Sequence, residues 1–308
     1  MSEKIYNSYS KFLKDKFGEK VYKLPIKLNL TCPNRDGTCG HGGCIFCGEE
    51  GGSFENQEGT IKDQLLQAKK IISKRYKAKK YIAYFQNFTN TYVDFSSFQS
   101  MIEQSLIEDV VGLSISTRPD CLYEQHLDYL EKISKQYFVT MELGLQTVNY
   151  HTLQKINRGH GLAEFIQGVM ACHSRNIAVC VHIIIGLPWD DDLDLIECAR
   201  ILNVLEVEEV KIHALYIVKN TILGDLYEEG KISMISLEEY KRKVILFLRH
   251  LNSNIIIERI IGRAPEENSL FCNWDTSWWK IRDDIVKEMK EHNFYQGQLM
   301  EKGMINND

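Results

Sequence analysis

No apolar run in this sequence approaches the roughly 20 residues a membrane-spanning helix needs, so a helical membrane protein is not the expectation. The first residues, Met-Ser-Glu-Lys-Ile-Tyr-Asn, lack the charged-then-apolar layout of a signal peptide, which makes the cytoplasm the expected location and a membrane an unexpected partner. Internal repeats, low-complexity tracts and linkers long enough to force a domain boundary are also missing. One core domain with small additions is therefore expected. With 308 residues, 44% hydrophobic and 26% charged, the chain is long enough to bury a full core. Nine cysteines scattered over this length do not read as a disulfide framework. Cys121, Cys172, Cys180, Cys198 and Cys272 are expected to be free, packed thiols.

A second tight cysteine pair is lacking too, and this absence bears on the chemistry of the remaining four cysteines. Cys32, Cys39, Cys44 and Cys47 fall within sixteen residues, in a loop rich in glycine. A structural zinc site favours two tight pairs, or one with a histidine pair, whereas here only Cys44-x-x-Cys47 is tight. Zinc would have to recruit Cys39 or His41 through unusual spacings. An iron–sulfur cluster needs only Cys32, Cys44 and Cys47, which leaves one iron open for a ligand that is not protein.

The net charge of −5 argues against wholesale attraction to nucleic acid, but charge is unevenly distributed. Lys69, Lys70, Lys74, Arg75, Lys77, Lys79 and Lys80 crowd one short segment. Alone, such a run reads as a solvated helix face; with a polyanionic substrate it becomes a phosphate-contacting patch.

The chain alternates β-rich runs with amphipathic ones, the rhythm of a parallel sheet with crossover helices. Strands are expected at 24–31, 80–87, 110–117, 137–145, 177–186 and 209–216, with helices near 9–17, 61–74, 95–108, 124–135, 163–175, 192–205 and 237–251. Residues on alternate strand positions face opposite sides. Apolar sets such as Val139, Met141, Leu143 and Leu145 can face the helices. Polar sets then share an interior: Lys27, Asn29 and Thr31; Ser114, Ser116 and Arg118; Thr140, Glu142, Gly144 and Gln146; Cys180 and His182; Lys211 and His213. An ordinary eight-stranded barrel fills that space with branched side chains. Six strands with a polar interior point to an incomplete barrel, with the cysteine loop at its C-terminal mouth.

Seven motifs, in this order and at strand ends, resemble the radical S-adenosylmethionine (SAM) enzymes, and within them the bacterial YhcC/YtqA group related to the catalytic subunit of Elongator. They are Cys-Pro-Asn-Arg-Asp-Gly from Cys32, Gly-Gly-Cys-Ile-Phe-Cys from Gly42, the run Tyr84 to Tyr92, Ser-Thr-Arg-Pro-Asp from Ser116, Glu-Leu-Gly-Leu-Gln-Thr from Glu142, Asn-Arg-Gly-His from Asn157 and Ile-Ile-Gly-Leu-Pro from Ile184. Eleven residues between Cys32 and Cys44 depart from the commonest superfamily spacing but suit the Elongator-like branch. Cys39 matches no ligand position of that pattern and reads as an incidental thiol, with a spare ligand as the alternative.

The resemblance implies an α/β fold, a partial (β/α)6 barrel at 24–252, with an N-terminal extension at 1–23 and a C-terminal one at 253–308 covering the barrel edge. It implies that Cys32, Cys44 and Cys47 hold a 4Fe-4S cluster whose fourth iron is closed by S-adenosyl-L-methionine. Phe46, Gln86, Asn87, Ser116, Arg118, Glu142, Gln146, Arg158 and Gly186 would contact that cofactor. His182, Lys211 and His213 are the candidate catalytic groups, positioned in the interior to orient substrate or move protons. An electron donor such as flavodoxin or ferredoxin is an implied partner. The implied substrate is tRNA, at the wobble uridine, with removal of the carboxymethyl group from 5-carboxymethylaminomethyl-(2-thio)uridine to give the 5-aminomethyl form. A radical enzyme acting on a small molecule or protein, and a zinc-stabilised RNA-binding module, are the competing classes. In the tail, a strand-like run at 255–260, Gly262-Arg263-Ala264-Pro265, and a helix-like run at 277–292 with Trp278 and Trp279 are expected to cover the barrel edge, or to stack bases beside Arg259, Arg263, Lys280 and Arg282.

Overall fold

The computed structural model describes residues 5–49, 51, 58–263 and 268–300. Ala264 and Pro265 of the tail motif lie outside the described residues.

The chain opens with helix α1 (Tyr9–Phe17), which stops at Gly18, where φ of 74° lets the cap amide bond back to the Lys14 carbonyl. Strand β1 (Val21–Ile26) follows, and after the cysteine loop come α2 (Ile61–Tyr76), β2 (Lys80–Phe85), α3 (Phe95–Ser105), β3 (Val110–Thr117), α4 (Glu124–Ser134) and β4 (Phe138–Gln146). The second half continues with α5 (Tyr150–Lys155), α6 (Leu162–His173), β5 (Ala178–Ile185), α7 (Asp192–Val204), β6 (Glu209–Ala214), β7 (Ile217–Val218), α8 (Ile222–Glu228), α9 (Leu237–His250), β8 (Ile256–Arg259), β9 (Ser269–Phe271) and α10 (Trp278–Glu291). Seven strands pair in the order β1-β2-β3-β4-β5-β6-β8, every pair parallel, in a curled half-barrel. Crossover helices bury the apolar strand face: Leu113, Ile115, Met141, Leu143, Val181 and Ile212 sit in one continuous core with Phe98, Phe165 and Phe247. Short β7 and β9 form a separate antiparallel pair.

Three expectations are corrected. The first strand is 21–26 rather than 24–31, and its polar interior residue is Lys23, not Lys27, Asn29 or Thr31. The ladder ends at Ile26 because side-chain amides take over the backbone: Gln64 bonds both Lys27 N–H and C=O, and Asn87 bonds both Leu28 N–H and C=O. Pro25 is tolerated because β1 is an edge strand. Among the described residues the sheet has seven strands rather than six, because β8, expected in the C-terminal extension, pairs with β6. The open side of the half-barrel is bridged by the N-terminal segment: Ser8 pairs with Ile257 of β8, and Tyr9 and Leu13 pack with Val21, Ile82 and Ile256. α10 instead packs its Ile281, Ile285 and Met289 into the main core, leaving Trp278 and Trp279 37% and 53% exposed.

Candidate active site

The cysteine loop leaves β1 and is held by contacts from far along the chain. Asn157, in the left-handed region at φ 51°, donates from Nδ2 to the carbonyls of His41 (3.1 Å) and Gly43 (2.8 Å). Asn34, fully buried, donates to the Asn157 carbonyl at 2.6 Å. Ile45 bonds Ile156 and Leu223 through its backbone and anchors a second apolar cluster with Leu153, Ile156, Ile184, Leu187 and Leu215. Gly159 is required here: its φ is 78°, and a Cβ would lie 2.5 Å from Asn34 Oδ1. The Asn157-Arg158-Gly159 motif is thus a latch on the loop.

One cavity at the strand C-terminal ends is lined by Cys32, Cys44 and Cys47 on one side and by β-strand interior residues on the other. Of the cofactor-binding candidates, Phe46, Gln86, Ser116, Arg118, Glu142, Gln146 and Arg158 line it; Asn87 and Gly186 do not. Asn87 is buried, with its amide committed to Leu28, and Asn90 likewise knits the Phe85, Asn87 and Ser116 carbonyls together. The Tyr84 to Tyr92 motif therefore divides between cavity wall, at Gln86, Phe88 and Thr89, and structural fasteners. Gly186 has φ of 101°, which accounts for the glycine. Gln146 also adopts positive φ, 76°, a conformation costly for a side-chain-bearing residue and here located on the cavity wall.

His182 and His213 line the cavity with ring centroids 5.0 Å apart, whereas Lys211, the third catalytic candidate, does not line it and is buried against Glu142 and Glu258. The pivot of the interior is Glu142, with no solvent exposure. It accepts from His182 Nε2 at 2.6 Å, Lys211 Nζ at 2.9 Å and Lys23 Nζ at 2.5 Å, as well as from Ser114 and Ser116. Burial opposes its ionisation, but Lys211 and Lys23, with His182, hold the carboxyl well below the usual range. Lys23 and Lys211 also pair with Glu258, so side chains from both edge strands meet across the barrel. Burial pushes the His182 and His213 imidazoles down, and Arg259 pushes His213 further, so both rings are neutral near pH 7. Lys23, Glu258, Glu209 and Arg259 also belong to this interior, although strand alternation alone did not assign them to it. For Glu209 the signal was available, since it precedes Lys211 by two on the same strand.

The three loop thiols suit an iron–sulfur cluster better than one zinc ion. Tetrahedral zinc with bonds near 2.3 Å needs its sulfurs mutually within about 4 Å. Among the described residues, no three of the loop cysteines have sulfurs all within 4.8 Å of one another. The sulfurs also receive cationic donors: Arg35 Nη2 stands 3.2 Å from Cys47 Sγ and Arg158 Nη1 3.6 Å from Cys44 Sγ. Cys39 is exposed and does not line the cavity.

A parallel half-barrel with a three-cysteine loop at its C-terminal mouth defines the architecture of the radical SAM enzymes. The chain belongs to the radical SAM superfamily: residues 36–202 match that superfamily and residues 207–291 match the Radical_SAM C-terminal domain. It is 37% identical over 304 residues to YtqA of Bacillus subtilis, covering 98% of this chain and 94% of the relative. It is 26% identical over 152 residues, 48% of this chain and 28% of the relative, to a tRNA uridine(34) acetyltransferase of Methanocaldococcus jannaschii. The fold matches the archaeal Methanocaldococcus infernus Elp3 with a TM-score of 0.68 at 15% identity, over 94% of this chain and 68% of that one.

Proposed function

We propose that the protein modifies tRNA at the wobble uridine, removing the carboxymethyl group from 5-carboxymethylaminomethyl-(2-thio)uridine to leave the 5-aminomethyl form. One observation carries the tRNA reading: the chain is related to a protein named as acting on uridine 34 of tRNA. The unmatched part of α2 supports it. Lys69 is tied to Asp109 and Glu108, Lys79 to Glu19 and Lys80 to the Phe17 carbonyl. Lys70, Lys74 and Arg75 line a surface groove and pair with no carboxylate among the described residues. A groove of this kind suits RNA phosphates.

Cys32, Cys44 and Cys47 would hold the cluster, and Phe46, Gln86, Ser116, Gln146 and Arg158 would surround SAM. When bound, these cofactors supply a 5′-deoxyadenosyl radical able to take a hydrogen atom from an unactivated carbon. The chain's own residues determine which carbon is offered. Arg118, locked by Asp120 in a two-point pair and donating to the Arg158 carbonyl, fixes the Arg158 segment beside the cavity. Neutral His182, held by Glu142, presents an imidazole to the cavity that can hold or pass a proton. The substrate carbon proposed is the methylene between nitrogen and carboxylate, where a carbon radical is delocalised. Loss of one hydrogen atom and one electron gives an iminium ion, and addition of water to it releases glyoxylate and the protonated 5-aminomethyl amine. A one-electron carrier of flavodoxin or ferredoxin type is the proposed partner that delivers and collects the electrons.

The test uses tRNA deuterated at that methylene, incubated with reconstituted, reduced protein and SAM. Deuterium in 5′-deoxyadenosine together with 5-aminomethyluridine is expected. Deuterium transfer without loss of the carboxymethyl group would reject the dealkylation, and active SAM cleavage with neither outcome would redirect the substrate to a small molecule or protein.

A further inference from the structure

Around the cavity, the positive charges are matched unevenly. Lys23 and Lys211 share Glu142 and Glu258, and Arg118 has Asp120. Arg35 and Arg158 point donors at Cys47 and Cys44. Arg259 has none of these. Its Nη2 stands 2.8 Å from His213 Nδ1 and 3.2 Å from Nε2, its Nε is buried without a partner, and no carboxylate among the described residues pairs with it. His213 is neutral and supplies no countercharge. Of the interior carboxylates, Glu142 and Glu258 are already committed to lysines, and Glu209, whose oxygens meet no donor among the described residues, does not contact Arg259. A half-buried guanidinium left this way lacks an anion, and its flat fork matches a carboxylate at two points.

The guanidinium is also seated. A Cβ on Gly262 would come within 2.8 Å of Arg259 Cζ and 3.0 Å of Nε and Nη1, so the group lies against bare backbone. Asn273 Nδ2 holds the Gly262 carbonyl at 3.1 Å and fixes that backbone in turn. The seat lies just behind the cavity wall: Arg259 does not itself line the cavity, but His213, which it contacts, and Tyr216 both do, and Tyr216 lies within electrostatic reach of Cys47 as well as Arg259. Arg259 is thereby set apart from the thiols, with the cavity-lining Tyr216 in reach of both.

We infer that Arg259, backed by His213 and seated on Gly262, receives the carboxylate of the substrate's carboxymethylamino group. The methylene beside that carboxylate then faces the cofactor side of the cavity, so this residue selects the group that is removed. The inference rests on the wobble-uridine reading above.

Equilibrium binding distinguishes the two. Reconstituted protein with SAM but no reductant is titrated with tRNAs that differ only in carrying the 5-carboxymethylaminomethyl or the 5-aminomethyl group. Wild-type protein is expected to prefer the carboxylate form by about tenfold or more, the worth of a charge-assisted pair. Arg259→Gln should erase most of that ratio by weakening the carboxylate form alone. Arg259→Lys, which keeps the charge and guards against loss of fold, should give an intermediate ratio, and Gly262→Ala should lower it by crowding the guanidinium. A full ratio in the Gln or Lys variant would overturn the inference, as would equal weakening of both forms, which would assign the guanidinium to phosphate. Equal binding of both tRNAs by the wild type would also overturn it. Failure to bind either tRNA would instead sink the wobble-uridine reading itself.

Discussion

Lys211 Nζ stands 2.9 Å from Glu142 Oε2 and 2.8 Å from Glu258 Oε1, joining β6 to β4 on one side and to β8 on the other. Lys23 joins the same two carboxylates from the edge strand β1, at the far side of the sheet from β8. Removing one member of such a buried set strands the others without a countercharge. Lys211→Met is therefore expected to lower stability by about 3–5 kcal/mol, measured by denaturant unfolding of the apoprotein. A loss below about 1 kcal/mol would mean that Lys23 alone satisfies both carboxylates.

Glu209 makes the opposite contribution. It has no solvent exposure, neither carboxylate oxygen has a partner among the described residues, and burial, only partly offset by Lys23, pushes its carboxyl up to about 8. Between the ordinary glutamate value near 4.3 and that folded value, the native state binds the extra proton. Stability from this group therefore falls as pH rises through the window, by up to about 1.4 kcal/mol per pH unit, and is flat above it. Glu209→Gln should flatten the decline between pH 6 and 8 and raise stability at pH 8. An identical pH slope in both proteins would show that Glu209 ionises normally.

The loop latch has its own signature. Cys32→Ala, Cys44→Ala or Cys47→Ala should abolish retention of the roughly four irons per chain expected after anaerobic reconstitution. Cys39→Ala, exposed and off the cavity, should retain them. Gly159→Ala is expected to lose much of the iron although it removes no ligand, because its Cβ collides with Asn34. Iron analysis and the visible absorption of the cluster read both effects; iron loss in the Cys39 variant would refute the ligand assignment.

Charge reversal at Lys70, Lys74 and Arg75 should weaken tRNA binding and flatten its dependence on salt, by up to about 0.9 in logarithmic slope for each phosphate no longer neutralised. Binding isotherms across a salt series supply the measurement. Unchanged affinity would return this side of α2 to the status of a solvated surface.

Much of the fold was legible in the sequence because helix periodicity and strand alternation are short-range. The residues 9–17, capped by Gly18, and the strand at 110–117 are where the pattern placed them. α5 and α8 leave no such pattern, being six and seven residues long, too short to establish a period. The first strand was displaced because the apolar alternation of Leu24, Ile26, Leu28 and Leu30 continues past Ile26, whereas its backbone partners are the side chains of Gln64 and Asn87, distant in sequence.

By itself, the sequence marked Cys32, Cys44 and Cys47 as the candidate donor set and determined the alternation that makes a parallel sheet and the polar parity of its interior strands. Those features reside in spacing along the chain. Which charges pair, and which one is left over, was decided only by closure of the half-barrel: Lys23 meets Glu142 and Glu258 across 119 and 235 residues, and Arg259 meets His213 across 46. Electrostatic matching depends on distance through space, and no local pattern encodes which carboxylates the curled sheet will bring to which lysines.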